Sequence, residues 1–175
     1  MRFLPSRLGG AFLVELEPAR DDRGFFMRTF CADEFRRHGL DPAVAQCGLS
    51  RNVQKGTLRG LHYQAAPKEE AKLVRCTRGR IFDVIVDLRP DSKTRFEWES
   101  FELSEDAPKA LFVPKGFAHG FETLEDDTDV YYQISEFHAP ESARGIRWDD
   151  PRLAISWPEK PRVISGKDAA LPFLK

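Results

Sequence analysis

Along the chain, apolar and polar positions alternate in short blocks with the period of strands, not helices. AFLVELEP and GFFMRTF are β-type runs bounded by Pro, Asp and Gly, and CADEFRRHG, which follows them, reads as one brief helix closed by Gly39. From there the pattern is strand after strand, predicted over 44–50, 57–64, 72–77, 80–88, 98–103, 110–113, 117–124 and 129–137, with turn residues between most of them. Many short strands at this spacing predict an all-β sandwich or barrel with few helices. The stretch 139–175 holds Pro and Trp without a clear period and reads as ordered irregular structure wrapped on the barrel. No internal repeat or composition break divides the sequence, so one domain over 1–175 is expected.

IFDVIVDL shows the alternation most clearly. Phe82, Val84, Val86 and Leu88 share one face and Ile81, Asp83, Ile85 and Asp87 the other. The first face is core. The second, which mixes aliphatics with carboxylates, suits the lining of a polar cavity inside a barrel; Asp83 can equally be read as an acceptor for nearby donors, and Asp87 is better read as one.

Composition narrows the partner. At 175 residues the chain can bury a sizeable core, and 27 Lys and Arg against 28 Asp and Glu leave a formal charge of -1. That balance argues against nucleic acid or an anionic membrane as the partner and favours a small molecule. No run reaches the roughly 18 apolar residues of a spanning helix. Cys31, Cys47 and Cys76 are odd in number and unpaired in spacing, which fits free thiols in a reducing, cytoplasmic compartment.

GTLRGLHYQ, residues 56–64, carries the first chemical signal. Strict alternation puts Leu58, Gly60, His62 and Gln64 on one face and Arg59, Leu61 and Tyr63 on the other. If Arg59 and His62 serve one ligand, either Gly60 permits a bulge or Arg59 crosses to a neighbouring subunit. In VPKGFAHGF, His119 sits between Ala118 and Gly120, small neighbours that leave room for a ligand or allow close packing. His38 ends the predicted helix, a structural position. Two residues beyond His62 and His119 stand Gln64 and Phe121, so neither histidine has the His-x-His partner of a barrel metal site, and no metal is expected. A neutral imidazole works as a base near pH 7 without one, best when a carboxylate fixes its other nitrogen. Lys72, the adjacent Tyr131 and Tyr132, and Asp168 are available cations and acids.

Together, DDRGFF, KGTLRGLHYQ, AKLVRCTRGRIFDVIVDLRPDS, VPKGFAHGF, RGIRWDDP, ISWP and SGKD resemble, in the same order and over nearly the whole chain, the dTDP-4-dehydrorhamnose 3,5-epimerase family. The resemblance implies a cupin-type jelly roll, usually a homodimer that exchanges N-terminal strands. It also implies a nucleotide-linked 4-keto-6-deoxyhexose as substrate and no metal or organic cofactor. Matched position by position, His62 is the catalytic base and Asp168 the carboxylate that orients it. Tyr132 is the proton donor on the opposite face, and Lys72 the cation beside the developing enolate oxygen. Arg23, Arg59 and His119 match diphosphate-holding positions, and Asp83 a supporting position near the base. Gln46 is kept from the family's Gln-x-Asn, but Gly48 replaces the Asn. Arg28 stands where Glu is usual, His138 where Tyr is frequent, and Ala143 where Glu is common. These departures lie toward the nucleotide, so a base other than thymine stays open. So do a single-position epimerase and a non-catalytic nucleotide-sugar-binding cupin.

Overall fold

The computed structural model describes residues 1–174. Near the N-terminus β1 (Arg2–Pro5), β2 (Phe12–Glu15), β3 (Ala19–Asp21) and β4 (Gly24–Phe26) precede the helix α1 (Ala32–Arg37). The body follows as β5 (Gln46–Asn52), β6 (Thr57–Gln64), β7 (Lys72–Arg78), β8 (Arg80–Asp87), β9 (Trp98–Ser104), β10 (Lys109–Val113), β11 (Phe117–Thr123) and β12 (Thr128–Ile134). β13 (Ala143–Gly145), β14 (Val163–Ile164) and α2 (Gly166–Ala169) lie in the tail.

One sheet runs β1-β2-β10-β7-β12-β5 and the facing one β13-β6-β11-β8-β9, with β14 added parallel to β6. The result is the two-sheet all-β fold that the periodicity predicts, in the jelly-roll form that the family resemblance implies. Ile81 and Ile85 of β8 meet Val74, Leu111, Phe121 and Val130 between the sheets. Val84 and Val86, on the other face, pack with Ile146 and Leu153 of the tail. Both faces of β8 are therefore covered, and each fully buried Val or Ile contributes about 1.5–3 kcal/mol. The outer face of the first sheet is closed near β2 and β10 by Phe35 of α1. His38 caps that helix, stacks on Phe3 at 4.0 Å between ring centroids, and is structural, as expected.

Two differences from the sequence reading have local causes. β1 pairs with β2 although its composition gave no strand signal; the pairing covers an edge. The tail is less irregular than its pattern suggests, because β13 and β14 borrow hydrogen bonds from β6. Asp87 takes the acceptor role its position allowed: Arg89, Ser92 and Thr94 all donate to its fully buried carboxylate. Burial alone would raise its pKa, but those bonds hold it down at about 2. All three cysteines are free. Among the described residues no helix is long and apolar enough to cross a membrane.

Candidate active site

The pairing of β6 with β11 answers the question posed by GTLRGLHYQ. His119 pairs with His62 and Phe121 with Arg59, so two steps along β11 match three along β6. The extra residue is a bulge at Gly60 and Leu61, and it brings Arg59 and His62, which strict alternation would separate, to the same cavity. Gly60 has φ +134, and a Cβ there would lie 2.6 Å from the Cα of Gly120. At Gly120 a Cβ would meet the Arg59 carbonyl at 2.7 Å. Two glycines thus let the strands close on each other where the bulge turns the side chains inward.

The cavity has a volume of about 480 Å³ and opens between the sheets. His62 Nε2 lies 2.7 Å from Asp168 Oδ1, while the other carboxylate oxygen accepts from the Gly60 amide at 3.2 Å. Asp168 is held in turn by α2, whose first turn is capped by Ser165 Oγ accepting from the Asp168 amide. An ionised Asp168 accepts the Nε2 proton and leaves Nδ1 as the ring's lone-pair nitrogen. Burial lowers the His62 pKa below 6.5, against the opposing pull of Asp168, with Lys72 and His119 lowering it further. The imidazole is therefore neutral, and able to take a proton, at neutral pH.

A second pair stands beside the first. His119 Nε2 meets Asp83 Oδ1 at 2.7 Å, both residues buried, and the ring of His119 is edge-on to Tyr132 at 6.1 Å. Asp83, assigned near the base, thus serves His119 and not His62. Burial and then the Asp83 charge push the Tyr132 phenol far above 10, so it keeps its proton. Lys72 Nζ is 3.0 Å from Glu70 and 3.4 Å from the His62 carbonyl oxygen. Arg59 Nε donates to Asn52 Oδ1 at 2.7 Å, which aims the guanidinium along the cavity wall. Gln46 and His138 line the same cavity, Gln46 donating to the Glu136 carbonyl.

Two predicted residues are elsewhere. Arg23, 89 % exposed, bonds Asp21 within the β3–β4 hairpin. Arg28 bonds Glu34 and borders a separate hollow with Met1 and Phe26. Within one chain neither reaches His62. The sequence reading also passed over Ser50, Glu70, Phe121, Ile134, Ser165 and Lys167, which line the cavity. Ser165 and Lys167 were legible only as neighbours of Asp168, and Glu70 only as the residue two before Lys72.

Residues 5–175 match the family model described as dTDP-4-dehydrorhamnose 3,5-epimerase. The chain belongs to that family. An epimerase of this name from Methanothermobacter thermautotrophicus is 45% identical over 170 residues, 95% of this chain and 91% of the relative. The crystal structure of the Bacillus anthracis epimerase with TDP and PPi bound superposes with a TM-score of 0.96 at 40% identity, covering 99% of both chains. A Legionella pneumophila dTDP-6-deoxy-D-glucose-3,5-epimerase, solved with dTDP-4-keto-L-rhamnose, gives 0.92 at 37% identity and covers 98% of this chain and 92% of that one. The epimerase family resemblance read from seven short motifs therefore extends to the whole fold.

Proposed function

We propose that the protein epimerises C3 and C5 of a dTDP-linked 4-keto-6-deoxyhexose, converting dTDP-4-dehydro-6-deoxy-D-glucose to dTDP-4-dehydro-L-rhamnose. The observation that carries the reading is the His62–Asp168 pair in one cavity with Lys72 and Tyr132. The C4 ketone acidifies the protons on C3 and C5. His62 removes one, the electron pair moves into the C3–C4 or C4–C5 bond, and charge collects on the C4 oxygen. Lys72 supplies fixed positive charge to that oxygen, where preorganised charge acts most strongly on the barrier. Tyr132 returns a proton to the opposite face, and the carbon inverts. The ketone provides the acidity itself, so the reading calls for no metal or organic cofactor.

Arg59 and His119 hold the diphosphate in this scheme, with Asp83 orienting His119; Gln46 and His138 border the nucleotide. Arg23 belongs to the same anion site across a homodimer that exchanges N-terminal strands. That assembly is supported by the apolar surface single chains leave open: Phe25 and Phe26 on the hairpin are 55% and 76% exposed, and Leu49 on edge strand β5 is 64% exposed. Arg28 lies near the same hairpin and acts on the nucleotide in the dimer. Free cysteines and the near-neutral charge support a cytoplasmic enzyme.

Incubation with dTDP-4-keto-6-deoxyglucose in D2O, followed by mass spectrometry and NMR, tests the reading. Deuterium uptake at both C3 and C5, lost in His62→Ala, is expected. Uptake at one position makes the protein a single-position epimerase. No uptake from the dTDP, CDP, UDP or GDP sugar makes it a binding protein.

A further inference from the structure

Glu70 is the carboxylate in contact with the Lys72 ammonium, yet the reaction as described gives it no part. Its Oε1 lies 3.0 Å from Lys72 Nζ, and both side chains are 11% exposed. Glu70 lies two residues before Lys72, the first residue of β7, and both side chains reach the same cavity. Glu70 faces the main cavity and also an adjoining hollow of about 290 Å³ bordered by Tyr63 and Ala143.

Lys72 needs such a partner. Its second contact, the His62 carbonyl oxygen at 3.4 Å, is long for a hydrogen bond and by itself leaves a flexible side chain weakly placed. Lys72 also stands close enough to lower the pKa of the His62 ring. An ammonium that wanders toward the imidazole would suppress its basicity, and one that wanders away would leave the enolate oxygen uncovered. A largely buried carboxylate paired with the ammonium opposes both.

We infer that Glu70 is a positioning residue that fixes the Lys72 ammonium between the base and the carbon-4 oxygen and offsets its field at His62. The inference rests on the epimerase reading for the identity of that oxygen, but not for the coupling of the three side chains. The charged and titratable groups that share the cavity with His62 are Asp168 from α2, Lys72 from β7, His119 from β11, Tyr132 from β12, Arg59 from β6, Glu70 from the loop before β7, and His138 and Lys167; of these Asp168, Lys72 and His119 act directly on its ring.

The test compares wild type with Glu70→Ala, Glu70→Gln, Lys72→Met and the Lys72→Met/Glu70→Gln double variant. Turnover of dTDP-4-keto-6-deoxyglucose in Glu70→Ala is expected to fall about tenfold or more in kcat, with KM within about twofold. Glu70→Gln, which keeps an acceptor, recovers part of the loss, and it adds nothing to Lys72→Met because it acts through that residue. The His62 ring titration, followed by NMR without substrate, shifts to lower pH in Glu70→Ala and Glu70→Gln. An unshifted titration in both variants, wild-type kcat, or losses that simply add in the double variant overturns the inference. A shifted titration in a protein that exchanges no deuterium from any keto sugar overturns the substrate reading alone and leaves the Glu70–Lys72–His62 unit standing.

Discussion

His62 and Asp168 are 106 residues apart in the chain and 2.7 Å apart in the fold. The contact ties the tail to the barrel, because Asp168 also accepts from the backbone of Gly60, inside the bulge that turns His62 inward. Base, bulge and tail helix form one unit, and its parts can be removed singly.

Asp168→Asn keeps a hydrogen-bonding side chain but loses the charge that supports the imidazolium and can reverse the ring tautomer. A loss of about 10²–10⁴ in kcat/KM is expected, the range of a general base. Asp168 raises the His62 pKa against burial, so its loss lowers that pKa further. His62 works when neutral; activity falls as pH drops through its pKa, and the acid limb of the profile therefore moves to lower pH in the variant. A pH–rate profile of both proteins checks the direction.

Tyr132→Phe removes the proton donor and leaves His62 in place. Deuterium from D2O enters the sugar on the face of the base, without net inversion. NMR of the recovered substrate reads both, and normal product formation rules out the role of Tyr132. With the phenol pKa pushed well above 10 by burial, the wild-type donor keeps its proton, so Tyr132 is not expected to set an alkaline limit below pH 10.

Gly60→Ala places a methyl 2.6 Å from the Gly120 Cα at a φ of +134. Strained backbone of this kind costs about 1–3 kcal/mol, and the steric overlap adds to it. Thermal melting should fall by several degrees, and exchange activity should fall with it even in the folded protein, because relief of the overlap moves Arg59 and His62 apart. A variant that melts and turns over as wild type contradicts the bulge as the device that joins them.

Glu122 is 1% exposed, points away from the cavity, and its Oε2 has no hydrogen-bond partner among the described residues. Burial pushes its pKa up from 4.5 to about 7, although the Glu159 amide, Lys55 and Arg162 favour the ionised form. The folded state therefore holds this proton more tightly than the unfolded chain. Its contribution is complete below pH 4.5 and is lost as pH rises through about 7, a change of about 3 kcal/mol. Glu122→Gln should flatten that part of the stability profile in urea titrations at pH 5 and pH 8.5. An identical pH dependence in the variant would show that the carboxyl is ionised in the fold.

Much of this protein is legible from its pattern. Short alternating runs determine strands, and the strand density determines a two-sheet β fold, because burial of one face per strand is a local, period-two property. His62, Lys72, Tyr132, Asp168, Arg59 and His119 stand out as polar groups in apolar runs or within recognisable motifs, and the fold gathers all six in one cavity. What alternation misjudged was the relation between them. Strict alternation separates Arg59 from His62; a bulge at Gly60 was one of two ways the sequence left for them to meet, and only the pairing of β6 with β11 selects it. Asp83 went to His119 because its partner is selected by cross-strand register, while Asp87, bonded to Arg89, kept the acceptor role its position allowed. Glu70 gained meaning only from the ammonium it faces. The sequence by itself determined the strands and the inventory of chemical groups, which depend on residue type and local period. The tertiary structure decided which groups share a proton or a charge, because those choices depend on distances between residues that the chain keeps far apart until the sheets close.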